Sequence, residues 1–86
     1  DYTTDEIVAI FASMSAAKEY HLDTDGTALL RAIVDAEPRG RGFGNARLAR
    51  NIFEEAVNRH ALRLASVEAP TRDQLVTLTA ADIDRS

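Results

Sequence analysis

The strongest constraint on the fold is a stripe of apolar residues that runs from just after Asn45 to Leu64. Positions in this stripe recur every three or four residues, which is the repeat of one face of an α-helix. They are Leu48, Ala49, Ile52, Phe53, Ala56, Val57, His60, Ala61 and Leu64. Asparagine is a favourable N-cap residue, so the pattern predicts a helix of roughly twenty residues capped by Asn45.

Two shorter amphipathic helices are predicted before this one. Residues 3–6, Thr-Thr-Asp-Glu, are typical of a capping box, in which a Thr hydroxyl and a Glu carboxylate bind the first N–H groups of a helix. Apolar residues then recur at helical spacing to about Tyr20. A second helix is predicted to begin after Asp23 or Thr24, either of which can act as N-cap, and to run to about Glu37.

The last part of the chain carries signals for short helical turns at residues 71–76 and 79–83. No stretch of alternating apolar and polar residues is long enough to indicate a strand. With 45% hydrophobic and 28% charged residues, the composition is that of an ordinary globular domain. We therefore predict a single all-α domain, residues 1–86, built as a small helical bundle of three main helices plus a short C-terminal helical turn.

Composition and charge disfavour several classes of function. The net charge of −4 argues against nucleic acid as a partner, and the chain has no cysteine for a disulfide or a thiolate metal site. His21 and His60 have no second ligand at metal spacing, so no metal site is predicted. Glu54 and Glu55 are adjacent on a helix and do not face each other as a catalytic pair would. No segment is typical of a membrane span or signal peptide, and we expect a soluble, cytoplasmic protein.

The most informative segment is the loop at residues 38–44, which holds one of the two prolines and three of the four glycines. It leads directly into the long helix, whose first turn would contain Arg47. That turn presents unpaired N–H groups and the positive end of the helix dipole, and an arginine there adds a planar fork for a phosphate. The junction suits an anion, but a capped helix followed by an arginine is common and indicates no particular ligand by itself.

Residues 44–56, Gly-Asn-Ala-Arg-Leu-Ala-Arg-Asn-Ile-Phe-Glu-Glu-Ala, resemble the lid of CbxX/CfqX-type AAA+ ATPases. This family includes the red-type Rubisco activase, stage V sporulation protein K-like proteins and the ATPase components of type VII secretion systems. The resemblance spans nearly the whole chain. The matching residues elsewhere are Tyr2, Glu6, Ile7, Val8, Phe11, Arg59, Ala61, Leu62, Arg63, Leu64, Leu78, Thr79, Asp82 and Ile83.

The resemblance implies that Arg47 is the sensor 2 arginine, which reaches from the lid to the phosphates of ATP. Gly44 and Asn45 would set its approach, and Arg50 would assist it, contact a neighbouring subunit or pair on the surface with Glu54. ATP and its Mg²⁺ would be held by a large subdomain that is absent from these residues. In the intact protein, the implied assembly is a ring, usually a hexamer, that couples ATP hydrolysis to the remodelling of a protein client.

Two features depart from the family pattern and leave the subfamily and the client open. His60 stands where a glutamine is expected, and residues 39–42 are rich in arginine and glycine. Because the chain begins at Asp1 and not at a methionine, we expect a piece of a larger ATPase, with no complete active site of its own. The alternatives are a free-standing helical protein-interaction module and, against the acidic charge, a small DNA-binding domain.

Overall fold

The computed structural model describes residues 2–37 and 45–85. It confirms the all-α prediction, with three main helices followed by two short ones in the C-terminal segment. The elements in chain order are α1 Thr4–Ala17, β1 His21–Leu22, α2 Thr24–Ala36, α3 Asn45–Ala65, α4 Arg72–Val76, β2 Thr77–Leu78 and α5 Ala80–Ile83.

The predicted caps begin the first two helices. At the start of α1, the Thr3 hydroxyl accepts from the Glu6 N–H at 3.1 Å, and the Glu6 carboxylate accepts from the Thr3 N–H at 2.8 Å. Asp23, and not Thr24, caps α2, because its Oδ1 accepts from the Gly26 N–H at 2.7 Å. The third helix begins at Asn45, whose predicted capping side chain lies outside the described residues.

The first helix ends at Ala17, three residues before the predicted end at Tyr20. Glu19 adopts a positive φ of 64°, a left-handed conformation that ends the helix, and the Tyr20 N–H donates back to the Ser15 carbonyl at 2.8 Å. The Tyr20 ring still packs on the core, edge-on to Phe53 with 6.2 Å between centroids. Tyr20 therefore follows the apolar spacing of the helix without belonging to it.

Two short strands pair in parallel, which the apolar pattern did not predict. His21 lies opposite Thr77 and Leu22 opposite Leu78, and the Asp23 N–H donates to the Leu78 carbonyl at 3.0 Å. Strands of two residues are too short to show an alternating pattern. They join the turn between α1 and α2 to the C-terminal segment, far away in the sequence.

The core lies where α1, α2, α3 and α5 meet. Phe11 of α1 packs edge-on against Phe53 of α3, with 5.7 Å between ring centroids, and α5 packs against both α2 and α3. The buried apolar side chains of this core are Ile7, Phe11, Leu30, Val34, Leu48, Ala49, Ile52, Phe53, Ala56, Leu78 and Ile83. The C-terminal segment thus contributes to the core and is not an appendage of the bundle.

A matched pair of leucines tests this account of the core. Leu30 is 0% exposed and Leu62 is 76% exposed. We expect Leu30→Ala to lower the free energy of unfolding by about 2 to 5 kcal/mol, because it leaves a cavity in the packed core. Leu62→Ala should change it by less than about 0.5 kcal/mol. Urea unfolding followed by far-UV circular dichroism measures both, and equal effects would contradict the burial described here.

Candidate functional site

The cation at the amino end of α3 is Arg47. It lies in the first turn of this 21-residue helix, its side chain is exposed, and that turn holds no acidic residue. Among the described residues, Arg47 forms no ion pair, whereas four of the other arginines do. The guanidinium therefore adds its charge to the positive end of the helix dipole, and no acidic residue in that turn neutralises it.

The rotation of α3 directs Arg47 away from the core. Leu48 and Ala49, the next two residues, are buried, and Ile52 one turn later is fully buried. Since successive helical residues point about 100° apart, burial of these positions leaves Arg47 on the opposite face.

The other predicted site residues are placed as follows. Arg50 is exposed one turn after Arg47, so the structure brings these two arginines to the same side of α3. Gly44 precedes the helix and lies outside the described residues, as does the Asn45 side chain. Arg50 forms no ion pair with Glu54, although both side chains are described, so the surface-pair interpretation of Arg50 has no support.

A buried ion pair that the sequence did not predict joins α3 to α5. The Asp82 carboxylate, 1% exposed, accepts from Arg63 at both oxygens: Nε donates to Oδ1 at 3.0 Å and Nη2 donates to Oδ2 at 2.8 Å. Oδ2 also accepts from the Thr79 N–H at 2.9 Å, which caps α5. A bidentate guanidinium–carboxylate pair with both charges hydrogen-bonded is among the strongest polar contacts in a protein.

Two neighbouring side chains of α3 hold the same C-terminal segment. Arg59 Nη1 donates to the Asp82 carbonyl at 3.3 Å, and His60 Nε2 lies 2.9 Å from the Gln74 carbonyl. A carbonyl can only accept, so Nε2 of His60 is the donor in this contact. His60 is buried edge-on to Tyr20, with 5.4 Å between centroids, so its ring packs inside the bundle. Together, Arg59, His60 and Arg63 form what we call the C-terminal clip.

The protein environment shifts the pKa values of the two charged partners in the clip. Burial alone would raise the pKa of the Asp82 carboxyl, but the hydrogen bonds from Arg63 and Thr79 and the charges of Arg63 and His60 hold it below its ordinary value. The hydrogen bond to Asp82 raises the pKa of Arg63 despite partial burial. Both shifts favour the charged pair in the folded chain.

The donor set at the start of α3 fits an anion and not a metal. Arg47 is a permanent cation with hydrogen-bond donors only, so it can bind phosphate oxygens and cannot ligate Mg²⁺. Across residues 2–37 and 45–85, no three His, Cys, Asp or Glu side chains are grouped so as to hold a metal ion. Over the same residues, no helix is long and apolar enough to cross a membrane.

Comparison with known proteins supplies the context for this site. A protein-family model described as AAA lid domain matches residues 3–86. The chain is 33% identical to the protein CfxQ homolog of Galdieria sulphuraria over 88 residues, covering 100% of this chain and 29% of that protein. It is 32% identical to the chloroplastic ribulose bisphosphate carboxylase/oxygenase activase of Cyanidioschyzon merolae, covering 95% and 29%, and 33% identical to the plasmid-encoded protein CbxX of Cupriavidus necator, covering 96% and 27%. The chain thus spans less than a third of the curated relatives that it matches.

Removal of the charge on Asp82 tests the C-terminal clip. We expect Asp82→Asn to lower the free energy of unfolding by about 2 to 4 kcal/mol, because it leaves Arg63 without its buried partner. This loss of unfolding free energy should be smaller than the largest losses known for breaking a buried ion pair. The reason is that the Arg63 side chain is 33% exposed and can be partly rehydrated. The matched control is Glu68→Gln on an exposed carboxylate, for which chemical denaturation should show a change below about 0.5 kcal/mol.

The lowered pKa of Asp82 also predicts a pH dependence of stability. At neutral pH the carboxylate is charged in both the folded and the unfolded chain, and the stabilisation by the pair is complete. As the pH falls below about 4, the unfolded chain takes up the proton first, so the contribution decreases until the pH passes the lower folded pKa. The wild-type chain should lose more unfolding free energy between neutral and acidic pH than Asp82→Asn. If the unfolding free energies of wild type and Asp82→Asn changed with pH in parallel, the Arg63–Asp82 pair would not be what lowers the pKa of Asp82.

Proposed function

This chain belongs to the AAA lid domain family, and on that premise we propose that it is the nucleotide-sensing lid of a AAA+ ATPase. Arg47 would act as the sensor 2 arginine toward ATP bound on a separate large subdomain of the same polypeptide. Mg²⁺ and the residues that activate water would come from that subdomain. The lid domain, residues 1–86, would then contribute one charge to the reaction and no complete active site.

The observation that carries this proposal is the exposed Arg47 at the positive end of α3. A guanidinium presents several donors in a fixed plane, which suits two oxygens of one phosphate group. Catalysis of phosphoryl transfer depends mainly on positioning and on neutralising charge on the phosphate oxygens. A permanent cation that no described side chain neutralises has the chemistry for that task.

The packing of α3 supports a mechanical role for the same contact. Arg47 lies at one end of the helix, and the C-terminal clip lies at the other, where it joins α3 to β2 and α5. Those elements pack in turn on β1 and α2. A charge-assisted hydrogen bond contributes about 1.5 to 3 kcal/mol, enough to change a two-state equilibrium about ten- to a hundredfold. Gain or loss of a phosphate contact would therefore rotate the whole bundle as one body.

The roles proposed for the neighbouring residues, the assembly and the client follow from the family. Gly44 and Asn45 would let Arg47 approach the nucleotide, and Arg50 would assist it from the next turn. The intact protein would be a cytoplasmic ring, a hexamer as in many AAA+ proteins, in which each lid contacts a neighbouring subunit. Hydrolysis would then drive the remodelling of a protein client. The relative from Cyanidioschyzon merolae is named as an activase of ribulose bisphosphate carboxylase/oxygenase, which is consistent with a protein client here.

Substitution of Arg47 in the full-length ATPase tests the sensor role. We expect Arg47→Ala to lower ATP turnover or nucleotide affinity about tenfold or more, because a charge-assisted contact of about 1.5 to 3 kcal/mol is lost. Arg47→Lys should give an intermediate value, since lysine keeps the charge but not the planar fork. Steady-state phosphate release and nucleotide titration measure the two effects.

The matched control is Arg72→Ala, at another exposed arginine that begins a helix, α4, and forms no ion pair among the described residues. It should leave turnover within about twofold of wild type, a change of less than 0.5 kcal/mol. In the isolated chain, Arg47→Ala should unfold like the wild type because the side chain is exposed. Unchanged turnover together with unchanged nucleotide affinity would exclude the sensor role for Arg47.

A further inference from the structure

A groove of about 870 Å³ runs between the end of α1, with the residues that follow it, and the middle of α3. Its apolar lining includes Met14, Tyr20, Phe53 and Val57, and the exposed cations Lys18 and Arg50 lie at its rim. Phe11 and Tyr20 both contact Phe53, so the end of α1 lies along α3 at this level. Two helices side by side with an apolar floor between them form the kind of surface that receives a third helix.

The charge of this groove is opposite to that of the chain as a whole. The chain carries a net charge of −4, yet Lys18 and Arg50 outnumber Glu54 among the charged residues of the groove. In the described part of the chain, neither of these two cations forms an ion pair, although the neighbouring Glu54 is within one turn of Arg50. The arginines that do form ion pairs are Arg31, Arg59, Arg63 and Arg85. The groove thus combines apolar surface with cations that are free to meet an external carboxylate.

We propose that this groove, which we call the α1–α3 groove, docks an acidic amphipathic helix of a partner protein. The apolar face of that helix contacts Met14, Phe53 and Val57, and its carboxylates pair with Lys18 and Arg50. Anchors at positions i, i+3 or i+4, and i+7 would fill the floor, as they do in other helix-in-groove complexes. This inference goes beyond the nucleotide-sensing role and does not need Arg47; the residue that it shares with that role is Arg50.

Charge selects this occupant over a nucleic acid. A nucleic acid would bring a continuous row of phosphates past Glu54, which lies in the groove beside Arg50. A helix with a few spaced carboxylates can meet the two cations and avoid that glutamate.

The test uses the 86-residue chain and two synthetic peptides. Both peptides are amphipathic helices with the same leucine face, and they differ only in having glutamate or lysine on the flanking positions. Titration of the ¹⁵N-labelled chain with the glutamate peptide should shift the amide signals of Met14, Tyr20 and Val57. The lysine peptide should bind at least about tenfold more weakly, and the affinity of the glutamate peptide should fall as salt is added.

Substitutions at the rim of the groove show how much of the peptide affinity comes from charge and how much from shape. Lys18→Glu combined with Arg50→Glu should weaken binding of the glutamate peptide about tenfold or more, whereas Arg72→Glu on α4 should leave it within about twofold. Arg47→Ala should keep the affinity within about threefold, so failure of the sensor role and failure of this proposal are distinguishable. Equal binding of the two peptides, no binding of either, shifts confined to other surfaces, or dimerisation of the chain through this groove would each overturn the proposal.

Discussion

The buried Asp82 carboxylate is the contact on which the rest of the bundle depends. It caps α5 through the Thr79 N–H and binds both sides of the Arg63 fork, so one side chain fixes the start of a four-residue helix and joins it to α3. A helix this short does not form by itself in water. Its residue Ile83 is fully buried, and the ion pair helps to hold α5 between α2 and α3.

The same contact belongs to a series of long-range connections across this small domain. An 86-residue chain buries a modest fraction of its surface, so each long-range connection counts. Arg63 also donates to the Thr77 carbonyl at 3.5 Å, and Thr77 pairs with His21 through the backbone and through its hydroxyl at 3.2 Å. The end of α3 is thus connected through β2 to the turn between α1 and α2.

The parts of this fold that the sequence predicts are those with local causes. The caps at Thr3 and Asp23 and the stripe from Leu48 to Leu64 each depend on residues three or four apart, and the helices lie where these signals indicate. The parallel strands and the pair between Arg63 and Asp82 depend on contacts 56 and 19 residues apart. A single sequence holds no signal for such pairing, because many acids could meet Arg63. For the candidate site, the exposure of Arg47 follows from the apolar stripe, whereas its ligand was inferred only from the resemblance to a family.

The distribution of ion pairs differs between the two halves of α3. In its second half, Arg59 forms an ion pair with Glu55, and Arg63 forms one with Asp82. If either arginine left its place, an acceptor of Asp82 in the C-terminal segment would lose its donor. An external anion could bind these arginines only if they gave up contacts that stabilise the fold. In the first half, Arg47 and Arg50 form no ion pair with any described residue, so an external anion meets them without that loss. The paired and the unpaired arginines of α3 therefore differ in their partners more than in their chemistry.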